Sequence, residues 1–274
     1  MTEHKIGLMI GENKAFIERI AWYSVGIVNL LAAVNHKERR MSDVLGTGTA
    51  CTWKGHSLIL TAEHVVAKTE PSNLAFLLRV DDAINWEGMS KPEKVISRVS
   101  LPVETIVRCK ENDLAAIVLR ADKLTGFNMQ FCDLPKQLHK SRTVKRDGAL
   151  IFLGHPVDQV FAVSEVKTAN AETNYLAVRP TILTGTIADT PSKALSSQYD
   201  PERDVLVNYE PSDPKMKPHG FSGAAAWCDR LERTGHVWTA DPMIFGVQTS
   251  AFMASRLLQV VGAPAIKEFL EESF

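Results

Sequence analysis

The sequence predicts an all-β fold, built as antiparallel barrels or sandwiches, with one short helix at each end. Two observations carry this prediction. Apolar runs of four to eight residues, bounded by turn residues, recur along most of the chain, the length and spacing of strands in antiparallel architectures. Helical periodicity, with apolar residues three and four apart, is confined to the two termini.

Taken in order, "ENKAFIERIAW" (12–22) places Phe16, Ile17 and Ile20 on one helical face. "AWYSVGIVNLLAAV" (21–34) is the longest apolar run. It is shorter than the roughly 20 residues a bilayer span needs, so it reads as a buried strand entered from that helix. A Gly-Thr-Gly turn at 46–48 leads into "GTACTW" (48–53), "SLILTA" (57–62), "LAFLLRV" (74–80) and "LAAIVL" (114–119). Residues 120–148 are polar and weakly patterned, as a connector would be. The second group of strands is "ALIFLG" (149–154), "FAVSEV" (161–166), "NYLAVRPTILTGTI" (174–187), "DVLVNY" (204–209) and "MIFGVQTS" (243–250). "APAIKEFLEESF" (263–274) closes the chain as a helix, with Ile266, Phe269 and Leu270 together and Pro264 near the start, where a missing N–H costs little.

Composition narrows the function classes. The 274 residues are 45% hydrophobic and 23% charged, ordinary globular usage with ample apolar surface for a core. A net charge of -1 supplies no field that would recruit nucleic acid or an anionic membrane. Neither partner is expected, and "HKERR" (36–40) and "KSRTVKR" (140–146) read as solvated loops. The first residues hold an apolar patch too short for a signal-peptide core. Cys51, Cys109, Cys132 and Cys228 form no CxxC or Cys/His cluster, so reduced thiols, a cytoplasmic location and no metal site are expected.

Three stretches bear on chemistry. In "GTGTACTWKGHSLILTAEHVV" (46–66), His64 follows a buried strand. In "KENDLAAIVLR" (110–120), Asp113 precedes one. In "KPHGFSGAAAW" (217–227), Ser222 lies between Gly220-Phe221 and Gly223. Alone, each has an ordinary structural explanation. Together they give the chain order His, Asp, Ser in the local frames TAxHVV, NDLA and GxSG. An α/β-hydrolase elbow is GxSxG with the histidine last. Here Ala224 replaces the second glycine, and the only downstream histidine, His236, lacks a βαβ context.

In these motifs the sequence resembles the chymotrypsin-like (trypsin-like) serine peptidases, in particular bacterial members without disulfides, over roughly residues 24 to 252. The resemblance implies two packed antiparallel β-barrels with the site in the cleft between them. The expected division is an N-terminal helical extension (1–23), a first barrel carrying His and Asp (24–125), a connector (126–148), a second barrel carrying Ser (149–252) and a C-terminal helix (253–274). It further implies a serine endopeptidase. His64 would be general base, Asp113 its orienting carboxylate, Ser222 the nucleophile, and the Gly220 and Ser222 N–H groups the oxyanion hole. No cofactor is implied. The substrate would be a polypeptide, laid along "IFGVQTS" (244–250), with Gln248, Thr249 and Ser250 at that edge and beside the primary pocket.

The chain also departs from the family's pattern. Phe221 stands where zymogen-activated members carry an aspartate that pairs with a new N-terminus, so the oxyanion turn is expected to form without cleavage. Ala224 and Ala225 follow Gly223 in place of Gly-Pro, and Glu63 replaces the more usual alanine. Met216, about where trypsin-like members carry an acid, argues against arginine or lysine specificity. His155, in "FLGHPVD", reads as structural. The rival reading is an inactive pseudoprotease, a peptide-binding or scaffold module. Because no appended peptide-binding domain is recognisable, control is left to a regulatory partner protein encoded elsewhere.

Overall fold

The computed structural model describes residues 14–29, 34–35, 40–41, 44–80, 95–127, 129–140, 149–156, 160–162, 166–168, 171–173, 176–178, 181–188, 199–210, 218–229 and 242–274. The first half contains α1 (Lys14–Tyr23), β1 (Ser24–Asn29), β2 (Val34–Asn35), β3 (Arg40–Met41), β4 (Val44–Trp53), β5 (His56–Ala62) and the single turn α2 (Glu63–Val66). These are followed by β6 (Leu74–Val80), β7 (Val95–Val99), β8 (Val103–Cys109), β9 (Leu114–Leu119), β10 (Cys132–Asp133) and α3 (Leu134–Gln137). The second half contains β11 (Ala149–Gly154), β12 (Val160–Ala162), β13 (Val166–Thr168), β14 (Ala171–Thr173), β15 (Leu176–Val178), β16 (Thr181–Ile187), β17 (Asp204–Glu210) and β18 (Ala225–Asp229). It ends with β19 (Pro242–Phe252), β20 (Leu257–Gly262) and α4 (Ala263–Ser273).

Why several strands are apolar throughout follows from their two faces. Successive side chains of a strand point to opposite sides, and here both sides are covered. In β9, Ala115, Ile117 and Leu119 enter the core of the first sheet, while Leu114 and Ala116 enter a core shared between the two sheets. In β11, Leu150 and Phe152 fill the second barrel, and Ile151 and Leu153 face the shared core. Such strands bury all six residues and therefore show no alternation. The shared core also takes Phe16, Ile17 and Ile20 from α1 and Ile266, Phe269 and Leu270 from α4. Tyr23 stacks on Trp227 at 5.8 Å between ring centroids. Each large apolar side chain fully buried there contributes about 1.5–3 kcal/mol.

The second barrel is closed in the order β11-β16-β17-β20-β19-β18, with β18 pairing back onto β11. The other sheet runs β12-β15-β7-β6-β1-β4-β5-β9-β8, and β10 adds to β4 in parallel. One closed barrel and a second large sheet, packed through the shared core with a short helix at each terminus, make the all-β architecture that was expected.

Five local expectations need correction. Gly46-Thr47-Gly48 is no turn but part of β4; its glycines permit close approach, a Cβ on Gly46 falling 2.6 Å from the Ser222 carbonyl oxygen. Residues 174–187 are not one strand. Leu176–Val178 and Thr181–Ile187 belong to different sheets. β12 and β15 therefore join the first sheet, although they fall in the expected second-barrel range. The closed barrel itself runs on through Leu257–Gly262, past 252, and the C-terminal helix begins at Ala263. The connector is also less polar in effect than in composition: Cys132, Leu134 and Leu138 enter the shared core, carried on elements too short for a period to register.

Candidate active site

Antiparallel register brings His64 and Asp113 together. β5 pairs with β9 up to Ala62 opposite Leu114, so the residue after one strand must lie beside the residue before the other. The Glu63 N–H donates to the Asp113 carbonyl at 3.0 Å. The His64 N–H donates to Asp113 Oδ1 at 3.0 Å, and His64 Nδ1 lies 2.8 Å from Oδ2 and 3.1 Å from Oδ1. A carboxylate only accepts, so this contact holds the proton on Nδ1 and leaves Nε2 as the acceptor. Asp113 has φ = +49°, a left-handed conformation that aspartate tolerates better than most residues. Side-chain exposures of 48% for His64 and 32% for Asp113 leave the pair facing solvent.

Ser222 sits on a turn that enters β18. Gly220 and Gly223 flank it with φ = +94° and +88°, a region open to glycine and strained for other residues. Phe221 anchors the turn: its ring is fully buried in the second barrel, against Gly154. That explains an aromatic residue where an aspartate was a family expectation. The Ala224 N–H bonds to the Phe221 carbonyl at 2.7 Å, and Gly223 and Ala224 exchange hydrogen bonds with Gln248 at 2.7 and 2.9 Å. Among the described residues, the N–H groups of Gly220 and Ser222 have no backbone acceptor.

Thr47 ties this turn to the first sheet, a role the Gly-Thr-Gly reading had missed. Its N–H donates to the Ser222 carbonyl at 2.8 Å. Its hydroxyl donates to the Gly220 carbonyl at 2.6 Å and accepts the His155 N–H at 3.0 Å, while its own carbonyl accepts from Thr61 Oγ1 at 2.7 Å. A glycine on each side of a threonine within a strand was the signal available. His155 is buried behind Gly220, and desolvation pushes its pKa down to about 4.

The serine turn therefore abuts the helical turn that carries His64. A Cβ on Gly46 would lie 2.6 Å from the Ser222 carbonyl and 2.7 Å from Val65 Cγ2, and one on Gly223 would lie 3.0 Å from the Ala62 nitrogen. No hydrogen bond joins Ser222 Oγ to His64 in this structure; such contacts are often long before substrate binds. Gln248 and Thr249 are buried at 1% and 2% exposure, and Ser250 is half-buried. Gln248 spends its backbone on the serine turn. Beyond it, Thr249–Phe252 has β20 on one edge and, among the described residues, no strand on the other. Met216 and the loop 211–217 lie outside the described residues, as do His236 and the first thirteen.

A closed barrel presenting a serine turn to a His–Asp pair on a second sheet is the chymotrypsin-like double-barrel fold. Among solved structures, the chain is similar to the active form of Rv3671c protease from M. tuberculosis, at 15% identity over 96% of this chain and 85% of that chain, with a TM-score of 0.51. It is likewise similar to the HtrA-type protease AlgW with decapeptide, at 14% identity over 94% of this chain and 67% of that chain, with a TM-score of 0.52. No family model and no curated protein matches the sequence.

Proposed function

We propose that the chain is a serine endopeptidase acting through an acyl-enzyme. Ser222 Oγ attacks the scissile carbonyl, and His64 Nε2 takes the hydroxyl proton and later gives it to the leaving amine. Asp113 holds the imidazole through Nδ1 and stabilises the imidazolium. The N–H groups of Gly220 and Ser222 receive the oxyanion; losing one such donor typically costs 10²–10³ in rate, on the order of 3 kcal/mol. The observation that carries this reading is the 2.8 Å His64–Asp113 contact, beside a serine turn whose Gly220 and Ser222 N–H groups have no backbone acceptor among the described residues.

The substrate is a polypeptide, its backbone laid as an added strand along the edge from Thr249 through Ser250 that pairs with no strand among the described residues. The two similar proteins are proteases, and one of them is described with a decapeptide. The chemistry needs no metal or organic cofactor. A cytoplasmic location fits the scattered cysteines, which form no CxxC or Cys/His cluster in the sequence.

One observation favours the rival pseudoprotease reading: Ser222 Oγ and His64 make no hydrogen bond. A fluorophosphonate probe decides between the two. The uncleaved 274-residue wild type should be labelled and Ser222→Ala should not, with peptide hydrolysis in the variant falling about 10⁶-fold. Failure to label the wild type would favour the scaffold, labelling only after N-terminal trimming would refute formation of the turn without cleavage, and a loss below about tenfold would point to another nucleophile.

A further inference from the structure

We infer that Arg203 is a positioning residue for Asp113, reaching from the second barrel to hold the turn that presents this carboxylate. The inference rests on the peptidase reading above. Arg203 immediately precedes β17 and is itself fixed: its carbonyl accepts the Gly262 N–H at 3.1 Å, and its own N–H donates to the Asp200 carbonyl at 3.0 Å. Asp204, whose side chain is fully buried, accepts Arg203 Nε on Oδ1 at 2.8 Å and Nη2 on Oδ2 at 2.9 Å. Gln259 Nε2 at 2.6 Å and the Asp200 N–H at 3.0 Å bind Oδ2 as well.

With two nitrogens held in this fork, the third points across the cleft. Nη1 donates to the Glu111 carbonyl and lies 3.4 Å from Asn112 Oδ1. Glu111 and Asn112 form the turn between β8 and β9, and Asp113 is the next residue. That turn closes on itself only weakly, the Asp113 N–H reaching the Lys110 carbonyl at 3.3 Å. Asp113 must nevertheless keep its left-handed φ and its grip on His64. The guanidinium adds a cross-barrel hydrogen bond to those that Asp113 makes with the Glu63 and His64 N–H groups, and it couples the packing of the two barrels to the orientation of the imidazole. A planar fork can grip a carboxylate with one edge and donate outward with the remaining nitrogen, whereas a lysine ammonium paired with Asp204 lacks that reach.

Arg203→Lys separates positioning from stability, because it keeps a positive charge beside Asp204. The variant should melt a few degrees below wild type, having lost one of the two hydrogen bonds to the buried Asp204 carboxylate, and is assayed well below that temperature. Its kcat and fluorophosphonate labelling rate should fall about 10–100-fold with KM unchanged within about twofold, as small misplacements of catalytic groups do. Arg203→Ala should lose more, and added guanidinium should restore part of the labelling rate through the vacated site. A Lys variant whose kcat stays within twofold of wild type would overturn the inference. So would a rise in KM alone, or an Ala variant that folds and does not respond to guanidinium. An unlabelled wild type would instead refute the peptidase reading and take this inference with it.

Discussion

Replacing His155 with leucine should remove a defined part of the protein's acid sensitivity. The imidazole is 2% exposed, and its Nδ1 has no hydrogen-bond partner among the described residues. Desolvation alone pushes its pKa from the ordinary 6.5 to about 4, because the buried site penalises the charged ring. In the unfolded chain the same ring protonates near 6.5. Between those two values the unfolded state binds a proton that the folded state refuses, so stability rises with pH across the window. The contribution is fully present above about pH 6.5 and is lost as pH falls to about 4. At about 1.4 kcal/mol per pH unit, the whole interval amounts to about 3 kcal/mol, a large fraction of an ordinary domain's stability. Denaturant midpoints for wild type and His155→Leu at pH 7, 5.5 and 4 test this directly, since carboxylates common to both cancel in the difference. The variant's stability should depend less on pH by about 3 kcal/mol over that range. Parallel pH dependences in the two proteins would refute the burial argument.

Two further outcomes follow from the serine turn. Phe221→Ala empties a fully buried ring site and should cost about 3–5 kcal/mol, lowering the melting temperature by roughly 6–20 °C in calorimetry; a shift under about 2 °C would mean the turn is not anchored there. Gly223→Ala, at φ = +88°, drives a Cβ into the Thr47 carbonyl oxygen and Thr61 Oγ1, well inside van der Waals contact. The turn must then move, and fluorophosphonate labelling should slow by about 10²-fold. A rate within twofold of wild type would show that the serine does not depend on this conformation.

Local pattern determined a good deal of this protein by itself. Short apolar runs fixed the β class, since alternation and run length are properties of neighbouring residues. His64 and Asp113 stood out only through the family resemblance of local frames that each lie within one segment, and the pairing of β5 with β9 then brings them within 2.8 Å. The termini read as helices for the same reason: Phe16, Ile17 and Ile20 show their period within one segment.

Only the tertiary structure decided the rest. Whether Gly46-Thr47-Gly48 bends or extends depends on Ser222, whose carbonyl the Thr47 N–H meets at 2.8 Å. Leu176–Val178 and Thr181–Ile187 look alike in sequence and differ only in which sheet edge is available. Arg203 is an ordinary charged residue until folding brings Asn112, 91 positions away, within 3.4 Å. The physical reason is common to all three. Backbone conformation is biased by adjacent side chains, but a close approach or a cross-barrel hydrogen bond depends on register between strands far apart in the chain, which no local pattern encodes.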